Sequence, residues 1–341
     1  MLSLVKELCL LNGVSSGEDE VRDFLMERCR PYAASMRVDA LGNLIVFKQG
    51  EKSTGNKLML TAHMDEVGFI VNDITEDGHL KFAPVGGIDP RVVIGKRVSV
   101  GRDKRPGAIG LKAYHLVSDE EEKRVPDFED LYIDIGAKDR ADAQTVVSLG
   151  DLVAFESDAV EFGSDMLKAK AIDDRVGCAV MLQLIEEELP MDCTFVFSVQ
   201  EEVGTRGAFG AAFSVTPEIA LVLEGTTAAD LPGTDGHRRV AAPSKGPVLS
   251  FMDSGTVYDR GLFELLRDLA EQHNIPWQSK NYTSGGNDSS AIQRTKDGVR
   301  VAAVSAPVRY LHTPSSVACC QDLVHMHTLV KHFIEALAAS Y

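Results

Sequence analysis

No apolar run in this 341-residue chain approaches the length of ~20 residues that a helix needs to cross a bilayer. Basic charge is scarce as well: 35 lysines and arginines stand against 51 aspartates and glutamates, a net charge of −16. A surface of that sign repels phosphate backbones and anionic lipids, so neither nucleic acid nor a membrane is expected as a partner. The excess does not by itself point to a cationic substrate, because solubility accounts for it. Paired cysteines are missing. None of Cys9, Cys29, Cys178, Cys193, Cys319 and Cys320 forms a CxxC pair, and Cys193 opens the apolar run CTFVFSV. Buried free thiols in a reducing compartment are expected rather than a disulfide framework. The opening MLSLVKELCLLNGVSSGEDE has no basic flank, sustained apolar stretch or small-residue cleavage site. It reads as an amphipathic helix ended by Gly13, not as a signal peptide, and a cytoplasmic location is the expectation.

Several catalytic signatures are absent too. GGIDP and SGGNDSSA lack the lysine and spacing of a phosphate-binding loop and read as turns. No elbow motif surrounds Ser289 and Ser290, and the cysteines show no Cys–His signature. There is no internal repeat and no low-complexity tract.

What is present is an ordinary globular balance, 44% hydrophobic and 25% charged, on a length that suggests two domains at one per ~150 residues. Helical patterns cover 3–12 and 17–30, a strand pair turns at Leu41-Gly42-Asn43, and KLMLTAHMDE reads as a buried strand with a polar tip. From Val67 to about Phe162 short β-like runs alternate with Gly, Pro and charged turns, with one helical candidate at 138–146. This predicts a small β-barrel or sandwich. Its acidic run Asp119–Glu122 reads as a solvated loop. After Lys170 the α/β texture resumes. Val176, Val180 and Leu184 mark a helix that runs up to Pro190. CTFVFSV is a strand, TRGAFGAAF a short helix and IALVLE a strand. Further helices follow at 262–269 and 323–337. The expected architecture is α/β: a three-layer domain with a mixed central sheet (residues 1–67 plus 163–341), interrupted by a β-rich insert (68–162).

Five polar sites stand at strand ends or in adjoining loops, where open α/β sheets hold their ligands. His63 lies in TAHMDEVG, two residues before Asp65, a carboxylate able to orient the imidazole. Asp173 and Asp174 stand between a strand and a helix start, where a single Asp would read as an N-cap. Glu201 and Glu202 follow CTFVFSV; two adjacent, mutually repelling carboxylates there have no folding rationale, whereas a metal ligand beside a general base explains both. Glu224 ends IALVLE, and His312 lies in VRYLHTPSS. One such residue is unremarkable, but five in one domain are hard to explain structurally. Two histidines and three carboxylates suit a pair of divalent ions, zinc first, with cobalt or manganese acceptable. Two ions ~3.5–4 Å apart generate hydroxide near neutral pH, and a neighbouring carboxylate must then shuttle its proton. His325 and His327, two apart on the closing helix, read as structural, and His237 in GTDGHRR as a surface residue.

TAHMDEVGF, PVGGIDPRVVIGKRV, KAIDDRVG, QEEVGTRGA, DLPG, SGGNDSSAI and VRYLHTP occur in this order over nearly the whole chain. In them the chain resembles the tetrahedral (TET) aminopeptidases, a family of two-metal peptidases that includes glutamyl and deblocking aminopeptidases and proteins formerly labelled cellulase M. The resemblance implies that His63 and Glu224 bind one metal and Glu202 and His312 the other, with Asp173 bridging. Glu201 would be the general base and Asp65 the orienter of His63. It also implies a cis Asp173–Asp174 peptide, an insert that mediates dimerisation, and dimers that assemble into dodecamers. The implied activity is hydrolysis of the N-terminal peptide bond of short peptides through a metal-bridging hydroxide. The alternatives are a deacylase or carboxypeptidase on the same scaffold, or an assembly protein with a decayed site. This chain departs from the family pattern at Glu224, where Asp is usual, at Ser316, where Glu is usual, and in GGNDS at 285–289 for GGTDA. The ligand role at 224 is expected to survive the change, and the other two bear on specificity.

Overall fold

The structure, a computed structural model, describes residues 1–341 except Ser284 and the side chain of His237. Helices α1 (Leu2–Leu10) and α2 (Asp19–Cys29) precede strands β1 (Ser35–Val38), β2 (Leu44–Lys48) and β3 (Leu58–His63). Six strands then close an antiparallel barrel: β4 (Gly68–Ile74), β5 (Leu80–Val85), β6 (Arg97–Val100), β7 (Arg105–Gly110), β8 (Tyr132–Asp134) and β9 (Leu152–Phe155). Between barrel strands lie α3 (Asp119–Glu122) and α4 (Arg140–Gln144). The chain re-enters the main sheet through β10 (Val160–Phe162) and β11 (Met166–Ala169). It continues as α5 (Ile172–Glu186), β12 (Cys193–Ser198), α6 (Arg206–Val215), β13 (Ile219–Thr227) and β14 (Val248–Leu249). The last elements are α7 (Arg260–Gln272), β15 (Gln278–Ser279), α8 (Ser289–Gln293), β16 (Arg300–Arg309), β17 (Ser316–Cys319) and α9 (Cys320–Ser340).

The main sheet has eleven strands, with the path β1-β2-β12-β3-β13-β16-β17-β11-β10. Its central strands β12, β3, β13 and β16 pair in parallel, and the flanks are antiparallel. Strand alternation sorts the core between two faces. Leu58, Leu60, Phe195, Leu221 and Leu223 join the cluster under α1, α5 and α9, whereas Met59, Val196, Ala220 and Val222 join the one under α6 and α8. The sheet is therefore covered on both sides, the three-layer arrangement expected from sequence. The barrel has its own core around Phe69, Phe82 and Phe155, whose rings meet edge to face.

Local differences have local causes. The acidic run is a helical turn, because Ser118 caps it and Glu121 returns a bond to the Ser118 amide. SGGNDSSAI is not wholly a turn, since Ser289–Gln293 is helical. The strand holding Glu224 runs on to Thr227, since β16 pairs with it throughout. β-like texture persists to Phe162, yet the barrel closes at Phe155 and Val160–Phe162 already pairs with β11. All six cysteines are free and buried. Among the described residues no helix is long and apolar enough to cross a membrane. The His237 side chain lies outside the described residues.

Candidate active site

The parallel core brings the site residues to one end of the sheet. β3 and β12 pair with His63 opposite Ser198, and β13 and β16 pair with Glu224 opposite Ser305. His63 shares a sheet face with Met59, and Glu224 shares that face with Val222, so both point to the α6/α8 side. His63 Nε2 lies 3.2 Å from Glu224 Oε1 and 3.4 Å from Asp173 Oδ1. His312, in the turn after β16, places Nε2 3.2 Å from Glu202 Oε2 and 4.0 Å from Asp173 Oδ2. Asp173 thus faces one imidazole with each oxygen. It stands at the start of α5, where its own dihedrals are extended and the Asp173–Asp174 peptide is cis.

Both imidazoles are oriented from behind. The Nδ1 of His63 is 3.0 Å from the Asp65 carbonyl oxygen, and that of His312 is 2.7 Å from the Gly87 carbonyl oxygen. Each carbonyl accepts the Nδ1–H of its ring, which orients the imidazole with Nε2 toward the carboxylates. The Asp65 carboxylate is farther from the ring, at 3.4 Å. It accepts instead the backbone N–H of Glu201 (3.0 Å) and Glu202 (3.1 Å) and the Ser15 hydroxyl (2.6 Å). Asp65 therefore holds the loop that carries the two glutamates.

Burial is the first cause of the electrostatics here. It pushes Glu224 and Glu202 well above the usual carboxylate range, with Asp173 adding to both and His63 opposing. Burial likewise pushes Glu201 up to about 8, with Asp288, Asp65 and Asp173 contributing. For Asp65 and Asp173 burial is outweighed by His63, and both are held below their ordinary value. For His63 burial acts downward, but Glu224, Asp173 and Asp65 raise it well above its ordinary value.

The donor set fits divalent cations. Hard carboxylate oxygens and the Nε2 atoms of two imidazoles converge, and Glu224 Oε2 is buried with no hydrogen-bond partner among the described residues. Ligand atoms of His63, Asp173 and Glu202, and of His63, Asp174 and Glu224, fall within 4.8 Å of one another. Asp174 is the weaker candidate despite its place there. Its oxygens already accept the N–H of His63 (3.2 Å) and of Gly177 (2.9 Å).

Asp173, Glu201, Glu202, Glu224 and His312 line one cavity of about 280 Å³, and Lys280 lines it too. A larger hollow of about 560 Å³, between residues 12–20 and the barrel, contains none of them. Sequence reasoning missed Lys280, Ser15, Gly87 and Asp288, whose Oδ2 accepts the Ser198 hydroxyl at 2.6 Å. Each reaches the site through a sheet register or a loop packed from another element; no motif marks Lys280 or Ser15, and Gly87 and Asp288 lie inside PVGGIDPRVVIGKRV and SGGNDSSAI without a role having been read for them.

A mixed sheet with an inserted barrel and a His–carboxylate cluster at its strand ends defines a metallopeptidase-like α/β protein. The chain belongs to the M42 glutamyl aminopeptidase family, whose model matches residues 42–329. It is 37% identical over 344 residues to a putative aminopeptidase of Acetivibrio thermocellus, covering 99% of this chain and 98% of that one. It is 30% identical to a lysyl aminopeptidase of Pyrococcus furiosus, with 98% and 96% covered. The TET1 peptidase of Pyrococcus horikoshii, described as assembling into a tetrahedron or a large octahedral shell, superposes with a TM-score of 0.86 at 32% identity, with 98% of each chain covered.

Proposed function

We propose that this chain is a metal-dependent aminopeptidase that hydrolyses the first peptide bond of short peptides with a free N-terminal amine. The observation that carries the reading is the convergence of two imidazoles on Asp173, flanked by Glu224 and Glu202, in the cavity that also receives Glu201. His63 and Glu224 would hold one divalent ion and Glu202 and His312 a second, with Asp173 shared. Zinc suits these donors, and cobalt or manganese could replace it. Such a pair of ions supplies Lewis acidity at the scissile carbonyl and acidifies the attacking water.

Glu201 takes the proton of the attacking water and delivers it to the departing amine. Its raised affinity for a proton suits both halves of that task. Asp65 fixes where Glu201 and Glu202 begin, through their two backbone N–H groups. The likeness to the TET1 peptidase supports a homo-oligomer, with dimers formed through the barrel and a dodecamer as the larger assembly. Six buried free thiols suit a reducing cytoplasm.

Glu201→Gln tests the base. Amino-acid release from free-amine peptides should fall by at least ~10²-fold, the scale of a lost general base, while bound zinc, counted by atomic emission, stays at the wild-type value. Normal turnover in this variant sinks the assignment. A wild-type preference for N-acetylated over free-amine peptides would make the protein a deacylase.

A further inference from the structure

Asn287 brings a neutral amide to the cavity that holds Asp173, Glu201, Glu202 and Glu224, and it is only 6% exposed. Proton counting decides how that amide is turned. Tyr258 has one phenolic proton, and its nearest acceptor is Asp253 Oδ2 at 2.6 Å. The carboxylate is fixed in turn, because its Oδ1 accepts the N–H of Gly255 and of Thr256, each at 2.8 Å. With its proton given to Asp253, the Tyr258 oxygen accepts from Asn287 Nδ2 at 3.2 Å, the shorter of its two amide contacts. Asn287 Oδ1 accepts instead the N–H of Ser289, at 2.9 Å, at the start of α8. Asp253 and Tyr258 are 1% and 5% exposed, so bulk water does not compete for this relay. An amide nitrogen carries two N–H groups. Tyr258 is the one partner of Nδ2 among the described residues, and the second N–H is left for a ligand in the cavity. The next residue ties this loop to the base: Asp288 Oδ2 accepts the hydroxyl of Ser198 at 2.6 Å. Ser198 stands opposite His63 in the sheet and precedes Glu201 by three residues.

We propose that Asn287 is a further catalytic residue, whose free N–H donates to the oxygen of the scissile carbonyl and binds it more strongly as negative charge gathers there. This rests on the aminopeptidase reading above and deepens it. Side chains differ from peptide to peptide, whereas the scissile carbonyl is the acceptor that every substrate must bring beside Glu201 and His63. A donor already held in place by its neighbours needs no reorganisation at the moment of reaction. Tyr258 and Asp253 act through Asn287 as positioning residues: the phenol oxygen engages one N–H and so stops the amide from turning away. The exchange of the family's usual threonine for Asn287 matters here, because a hydroxyl has one proton and cannot donate to Tyr258 and to a substrate together.

The test measures kcat and KM of zinc-loaded wild type, Asn287→Ala, Asn287→Asp and Tyr258→Phe on leucyl and glutamyl p-nitroanilides. N287A and N287D should lower kcat roughly ten- to a hundredfold on both substrates, with KM close to the wild-type value. The loss stays below the ~10²–10³ of a site that depends on one donor, since the proposed ions share the task. N287D keeps the shape of the side chain and the acceptor for Ser289 while removing both amide donors, so its loss does not come from a collapsed loop. Y258F should lower kcat less than N287A, and should add nothing when combined with it, as expected of residues that act as a unit. Calorimetry gives a reading that needs no turnover, with a phosphonate dipeptide analogue, whose charged oxygen stands where the carbonyl reacts, and with free leucine. N287A should bind the analogue at least tenfold more weakly and leucine as the wild type does. Wild-type kcat in both Asn287 variants, or an equal loss of affinity for analogue and leucine, overturns the assignment. A wild type that cleaves no free-amine substrate sinks the aminopeptidase reading and this role with it, whereas an active wild type matched by N287A sinks this role alone.

Discussion

Gly225 shows how closely single residues are fitted around the shared carboxylate. A Cβ on this residue would lie 2.8 Å from the Cβ, Cγ and Oδ1 of Asp173, and the Gly225 N–H donates to that same Oδ1 at 3.2 Å. The glycine is required by close approach, since a methyl group there would push aside the carboxylate that faces both imidazoles. Gly225→Ala is therefore expected to cost about 1–3 kcal/mol of stability, the usual scale of overpacking. Its zinc affinity should fall by more than stability alone explains, at least tenfold at both sites. Competition with a chelator of known affinity measures this, and a wild-type affinity would show that Asp173 is not shared. The residues of the cluster were legible from the sequence because five ordered motifs each place a polar residue where an apolar strand gives out. Glu224 was legible for a partly wrong reason: β13 does not end at it but continues three residues, and Thr226 on the same face became part of the cavity unannounced. Lys280 could not be read at all, because it reaches the site through β15 and β14, strands of two residues each, too short for any periodicity to mark.

At the scale of elements, the loop between α1 and α2 supports the loop after β12 from behind. Glu18 Oε1 accepts the N–H of Ser16 at 2.8 Å and of Gln200 at 3.1 Å, one residue before the proposed base. Burial, then the charge of Asp65, push Glu18 from its ordinary 4.5 up to about 7, against the pull of these N–H donors. The sign follows from linkage. Between pH 4.5 and 7 the folded state holds a proton that the unfolded chain has released, so stability falls as pH rises through this window and levels off above it. Glu18→Gln keeps an acceptor for both N–H groups and removes the titration. Relative to this variant, the wild type should lose roughly 1–3 kcal/mol between pH 4.5 and 7. Urea midpoints across that range would show it, and parallel profiles would mean that Glu18 is ionised throughout. Helix and strand positions were mostly legible, because apolar residues recur at three- and four-residue steps in α5, α7 and α9. What periodicity could not show was the contact between Glu18 and Gln200, which tertiary packing alone creates.

For the whole molecule, the point of interest is where barrel and sheet meet. The barrel does not merely interrupt the main fold; its loop after β5 reaches the proposed metal site. Gly87, two residues past that strand, gives its carbonyl oxygen to the Nδ1 of His312, a contact across 225 positions of sequence. Gly86 before it has φ +85°, and a Cβ there would lie 2.7 Å from Val67 Cγ1 and 3.4 Å from the Cβ of Glu202. One glycine thus lets the barrel loop pass close to Glu202 while aiming the carbonyl that orients the ring of His312. Gly86→Ala would impose a left-handed backbone on an ordinary residue, at about 1–2 kcal/mol, and would displace both the carbonyl and Glu202. The loss should fall unevenly, because the residues on the other side of Asp173 take their support elsewhere: His63 from the Asp65 carbonyl and Glu224 from within β13. Titration of zinc into the metal-free variant should show one site near wild-type affinity and the other weakened tenfold or more. Equal weakening of both sites would mean that the barrel loop acts on the cluster as a unit. Two unweakened sites would mean that His312 keeps its orientation without the barrel.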